Sequence, residues 1–139
     1  MKILDLPGLK VGMEGTYGTI VSPANSAEAS GYKGMPVLGT PHLVGLLEMA
    51  CMFVHEALPE HLLTVGVANR MAHLAASPLG AEIISKARLV AIDGRKLEFH
   101  VEAHDPVEKI AEGTHVRFIV EARDFFDNLE KKKRKLRLS

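Results

Sequence analysis

One carboxylate, Glu48, lies in a run of residues with almost no polar face: Leu43, Val44, Leu46, Leu47, Met49, Ala50, Cys51, Met52, Phe53 and Val54 surround it. A carboxylate among such neighbours needs a partner, an opening to water or a chemical task, because an unpaired buried charge is costly. Thr40-Pro41 and Leu58-Pro59 bracket the run, which predicts a helix over 40–58, buried on nearly all sides. At about 100° per residue, Pro41, Val44, Gly45, Glu48, Met52 and His55 share one stripe. Gly45, one turn before the carboxylate, leaves room for something to approach, which is the geometry of a pocket wall. The plainer alternative is a Glu48 that pairs with a buried arginine or reaches solvent through a gap.

Two more polar side chains belong to the same question. Over 63–75 the odd positions Leu63, Val65, Val67, Met71 and Ala75 form an apolar row that also holds Asn69 and His73. Strand alternation places this row on one face, and if that face meets the helix, His73 reaches the pocket of Glu48. The competing reading is a core histidine bonded to backbone. Thr40, just before Pro41, reads on its own as a helix N-cap. A poorly hydrated carboxylate, an imidazole and a hydroxyl are the side chains from which nucleophilic and acid–base chemistry is built.

The elements that must position them read mainly as strands. Residues 14–21 form a first strand, followed by a loop over 22–39 rich in Pro, Gly, Ala and Ser, of a length typical of lids. After the helix come strands over 62–76 and 81–92, divided by the turn Ser77-Pro78-Leu79-Gly80. Asp93-Gly94 reads as a two-residue hairpin turn of type I′. Leu97, Phe99, Val101 and Ala103 alternate with Glu98, His100 and Glu102 in the returning strand, and a looser turn at Asp105-Pro106 leads to a last strand over 113–123. One strand, a long helix and four strands joined by short turns make an antiparallel α+β chain, in the order of the hotdog fold: a five-stranded sheet wrapped around one central helix.

The chain has 139 residues, of which 47% are hydrophobic and 24% charged, enough for one domain with a real core. We read 1–130 as that domain and 131–139 as a basic C-terminal tail, since Lys131, Lys132, Lys133, Arg134, Lys135 and Arg137 cluster there. The net charge of zero hides this asymmetry. Without interleaved aromatic residues the tail is read as solvated, and no nucleic-acid partner is expected. Met1-Lys2-Ile3-Leu4-Asp5 carries no signal-peptide pattern and no segment has the length of a membrane span, so a cytoplasmic chain without a membrane partner is expected. The single cysteine, Cys51, reads as a small core residue.

Several strings then align with a known pattern: Thr40-x7-Glu48 within Thr40-Pro-His-Leu-Val-Gly-Leu-Leu-Glu-Met-Ala-Cys51, Gly66-x6-His73, Asp93-Gly94-Arg95, Ala103-His104-Asp105 and Gly113-Thr114-His115-Val116-Arg117. The chain resembles the fluoroacetyl-CoA thioesterase family of hotdog proteins over nearly its whole length. The resemblance implies hydrolysis of a short acyl-CoA thioester by a Thr/Glu/His triad, mapped onto Thr40, Glu48 and His73. It leaves open whether Glu48 attacks the carbonyl or activates water. Gly66, Asn69, Arg117 and Tyr32 are the expected substrate-binding residues, although Arg117 opposite Glu121 or Glu102 also fits a surface ion pair. The resemblance further implies no metal or organic cofactor beyond the CoA of the substrate. It also implies a homodimer able to assemble further, with the CoA arm at the subunit boundary. Hydratase or dehydratase activity and non-catalytic acyl-CoA binding are the alternatives on this fold. The fluoroacetate-handling member is set apart by phenylalanines in its lid, whereas 22–39 here contain Tyr32 and no Phe, so no strong fluoroacetyl selectivity is expected. Asn69, polar where an apolar residue is expected, points to polar or longer acyl groups.

Overall fold

The computed structural model describes residues 6–139, so the reading of the first five residues lies outside what it describes. Five strands, β1 (Glu14–Ile20), β2 (Leu62–His73), β3 (Glu82–Asp93), β4 (Lys96–His104) and β5 (Lys109–Glu121), form one antiparallel sheet in the order β1-β3-β4-β5-β2. Helix α1 (Thr40–Ala50) packs on its inner face, and α2 (Ala122–Lys135) follows β5. Consecutive strands β3, β4 and β5 are neighbours, which leaves β1 and β2 as the two edges. This is the hotdog arrangement expected from the order of elements.

The core is the seam between helix and sheet. Leu43, Leu47, Ala50, Cys51 and Val54 meet Ile83, Ala87 and Leu89 of β3, Leu97, Phe99 and Val101 of β4, and Ala111 and Ile119 of β5. An 11-residue helix is marginal by itself, so α1 depends on this packing. Leu43 and Leu47, both buried, contribute roughly 1.5–3 kcal/mol each. Phe53 meets Phe99 edge-on at 6.1 Å between ring centres.

The helix is shorter than its apolar run. The α-helix ends at Ala50 and a 3₁₀ segment continues over Met52–Ala57, so the stripe holds for Pro41 to Glu48 but not for Met52 and His55. Strand β2 carries the larger correction. A bulge at Val67 lets Gly66 and Ala68 face Arg117 and Val116 in succession, and one extra residue reverses the alternation beyond it. Leu62 and Thr64 are buried before the bulge, while Asn69 and His73 face inward after it, opposite His115 and Ala111. The single odd-numbered row is therefore two half-rows: Asn69, Met71, His73 and Ala75 are placed as expected, and Leu63, Val65 and Val67 are not.

The β3–β4 turn closes at Asp93↔Lys96, which makes Gly94-Arg95 the two-residue loop. Only Gly94 has positive φ there (59°), the pattern of a II′ rather than an I′ turn. Strand β5 begins at Lys109, earlier than expected, because Ile110 and Ala111 already pair and bury. The basic residues 131–135 form the last turns of α2.

Residues 22–39 are more ordered than their composition implies. Two 3₁₀ turns, Pro23–Asn25 and Glu28–Ser30, lie within them, and isolated bridges join Ser26 to Leu38 and Val37 to Pro78. The Leu38 N–H donates to the Ser77 carbonyl at 2.9 Å, and Leu38 itself is buried. The loop is thus pinned at its base, with Tyr32 exposed toward its tip.

Candidate active site

Two polar groups of opposite character form on the inner face. The first joins Thr40 to His73: the hydroxyl of Thr40 lies 2.8 Å from Nδ1 of His73. Thr40 is the first residue of α1 and Gly39 occupies the cap position, so the hydroxyl serves the imidazole rather than a backbone amide. The N-cap expectation for Thr40 fails for this reason. The hydrogen bond of His73 goes to a side chain and not to the backbone partner that the core-histidine reading gave it. Nε2 of His73 is buried without a hydrogen-bond partner among the described residues. A buried ring nitrogen left without a partner is unusual.

The second group is built around Arg117. This arginine is 5% exposed, and Nη1 donates to Oε1 of Glu48 at 2.9 Å, so it is not the surface partner of Glu121 or Glu102. Nη1 also donates to Nε2 of His115 at 3.1 Å, Nε to the Thr64 hydroxyl at 2.8 Å, and Nη2 to the Thr64 carbonyl at 3.0 Å. The Thr64 hydroxyl in turn donates to Nε2 of His55 (2.8 Å), whose Nδ1–H reaches the Met52 carbonyl at 3.2 Å. On the other side, Nδ1 of His115 lies 2.6 Å from Oδ1 of Asn69. Arg117 is thereby fixed from both flanks, and it holds one oxygen of Glu48. The other oxygen, Oε2, has no hydrogen bond among the described residues, and the Glu48 side chain is 39% exposed.

Gly66 completes the wall. A Cβ at this position would sit 3.0 Å from Oε1 of Glu48, 3.3 Å from Nη1 of Arg117 and 3.3 Å from Cε1 of His115. A side chain there would press on the carboxylate and its arginine together, so glycine is needed at the bulge to let them meet.

His115 entered the sequence reading only within the Gly113–Arg117 string and His55 only on the Glu48 stripe, and neither they nor Thr64 were expected as site residues. His115 carried a usable signal, because it lies two residues before Arg117 on the same strand face. Thr64 carried none until the bulge was known. Tyr32, expected at the substrate, stands on the loop without a side-chain hydrogen bond among the described residues, 63% exposed.

Electrostatics agree with the bonding. Burial, with the nearby Arg117 charge second, pushes the His115 imidazole below its usual value. It is therefore neutral, as an acceptor from arginine must be. Burial pushes the Cys51 thiol up to about 12, Arg117 opposing and Glu48 adding, so Cys51 is not a nucleophile. Among the described residues no cluster of three or more His, Cys, Asp or Glu is placed to hold a metal.

The His115 shift has a consequence for stability. In a window below about pH 6.5 the unfolded chain binds more protons than the folded one, so stability rises with pH there and is lost as pH falls. Glu102, Asp105 and Glu112, whose carboxyls are held below their usual values, lose their contributions lower, beneath the ordinary carboxylate range. Thermal melts between about pH 7 and pH 5 should thus show a falling Tm that His115→Gln flattens. An identical slope in the variant would remove His115 from the account.

Comparison with known proteins identifies relatives in sequence and in fold. A fluoroacetyl-CoA thioesterase of Streptantibioticus cattleyicolor is 32% identical over 128 residues, which span 85% of this chain and 90% of the relative. A solved structure of the fluoroacetyl-CoA thioesterase FlK superposes with a TM-score of 0.81 at 30% identity, covering 89% of this chain and 97% of its own. A variant of the same enzyme in complex with acetyl-CoA gives 0.83 at 28% identity, covering 89% and 98%. Fold and relatives together define an acyl-CoA thioesterase of the hotdog class. Residues 21–123 match the fluoroacetyl-CoA-specific thioesterase family, and the chain belongs to it. No helix among the described residues is long and apolar enough to cross a membrane.

Proposed function

We propose that the chain hydrolyses short acyl-CoA thioesters to the free acid and CoA in the cytoplasm, with Thr40, Glu48 and His73 as the reacting groups and no metal or organic cofactor. The observation that carries this reading is Glu48, packed against Gly66 and held through Oε1 by Arg117, while Oε2 has no hydrogen bond among the described residues. One route has Oε2 attack the thioester carbonyl. The C–S bond breaks, the thiolate takes a proton from His73, and a mixed anhydride forms. Water, deprotonated by His73, then cleaves the anhydride and restores the carboxylate. The other route has Glu48 deprotonate the water that attacks directly. Thr40 orients His73 in both.

A homodimer is part of the proposal. Thr40 and Glu48 are separated by eight residues of one helix, about 12 Å of rise. Among the described residues no hydrogen bond joins the Thr40–His73 pair to the Glu48–Arg117 pair. The edge strand β2 is exposed from Gly66 to Arg70, beside Glu48, where a second copy has backbone to pair with. In this reading the Thr40–His73 pair of one copy serves the Glu48 of the other. Gly66, Asn69 and Arg117 line the acyl end, and Tyr32 lies on the entrance loop.

Steady-state turnover over a panel of acyl-CoA esters tests the activity, and a protein that binds them without release of CoA would overturn it. The same panel tests the lid. Lacking lid phenylalanines, the enzyme should favour fluoroacetyl-CoA over acetyl-CoA by less than roughly a thousandfold in kcat/KM, about 4 kcal/mol. A larger ratio would show that the discrimination needs no such aromatics.

A further inference from the structure

The orientation of one side-chain amide follows from the bonding around Arg117. An arginine has no acceptor, so its 3.1 Å contact with Nε2 of His115 makes that nitrogen the acceptor. The neutral ring then carries its proton on Nδ1, which donates to Asn69 at 2.6 Å. The Asn69 atom facing it must be the carbonyl oxygen, because a flipped amide would set donor against donor. The NH₂ group of Asn69 is left over. It makes no hydrogen bond among the described residues, and Asn69 is an exposed residue of the protomer. Asn69 stands directly opposite His115 in the β2–β5 register, on the inner face that holds Glu48 and Arg117. One imidazole and one guanidinium separate it from the carboxylate.

We infer that Asn69 is a specificity-determining residue that selects acyl groups bearing a carbonyl or hydroxyl oxygen a few bonds beyond the thioester carbonyl, with its NH₂ as the donor. The inference deepens the thioesterase reading and rests on Glu48 marking the acyl end. A plain alkyl chain closing over the amide leaves two N–H groups without water or partner, whereas an oxygen substituent accepts from one of them. With the His115 ring and the Arg117 guanidinium standing between Asn69 and the carboxylate, the acceptor is sought along the acyl chain, at the third carbon, rather than at the thioester oxygen.

The experiment compares kcat/KM for 3-hydroxybutyryl-CoA and acetoacetyl-CoA with that for butyryl-CoA, in the wild-type chain and in Asn69→Asp. The aspartate keeps an acceptor for Nδ1–H of His115 and replaces the donor with an acceptor-only carboxylate, so a preference that depends on the N–H donor cannot survive it. The wild type should prefer at least one oxygenated ester by about tenfold, and Asn69→Asp should bring that ratio near one. A wild type without preference, or a preference that survives in Asn69→Asp, would overturn the assignment. Should no ester turn over, the hydrolase reading fails separately. The affinities of wild type and Asn69→Asp for the S-butyl and S-3-hydroxybutyl thioethers of CoA then decide the role of Asn69 by the same ratio.

Discussion

Glu48→Gln should leave the protein folded and lower thioester turnover by roughly 10⁴-fold, the scale on which loss of a reacting side chain is felt. The amide keeps a carbonyl oxygen for Nη1 of Arg117, so the bond that now measures 2.9 Å has a replacement. What disappears is the negative charge and the free Oε2, the atom that either attacks the carbonyl or takes the proton from water. The loss of the ion pair does cost stability. Arg117 is buried while the Glu48 side chain is 39% exposed, which places the cost between an exposed and a buried pair, about 1–2 kcal/mol. Thermal melts and turnover on the same preparation separate the two outcomes. A sharp drop in Tm with turnover retained in the folded fraction would return Glu48 to a purely structural ion pair with Arg117.

That ion pair bears on the two readings the sequence left open for Glu48. A carboxylate in a greasy run was expected either to pair with a buried arginine or to act, and the structure shows the pairing on one oxygen only. The periodicity of apolar residues was enough to locate α1 and the five strands along the chain, because each element buries one face. Alternation failed where a single residue was added. The bulge at Val67 has no signature beyond the preceding glycine, yet it turns Thr64 and Gly66 inward on one side and Asn69 and His73 inward on the other. The end of α1 was hidden for a related reason: the 3₁₀ segment is as apolar as the helix it extends, and composition does not distinguish them. The network through Thr64, His55 and His115 depends on contacts between residues far apart in the chain, which no local pattern encodes.

His73→Ala should cost about 10² to 10⁴ in turnover, the range for general acid–base residues, and change the shape of the pH–rate profile. The fold should survive, since the bond removed is a single one to the Thr40 hydroxyl, worth about 1 kcal/mol. A variant with wild-type rate and profile would reduce His73 to a packing residue. The same variant tests whether the site lies between the subunits of the proposed dimer. If the Thr40–His73 pair of one copy works on the Glu48 of the other, a hybrid of His73→Ala and Glu48→Gln chains contains one intact site, made of the histidine from one and the glutamate from the other. Half of the dimers in an equal mixture are such hybrids, so exchanged mixtures should recover about a quarter of wild-type turnover from two nearly inactive proteins. If each protomer carries a complete site, every site in the hybrid lacks one group and mixing recovers nothing. The 12 Å or so of helix between Thr40 and Glu48 favours the first result.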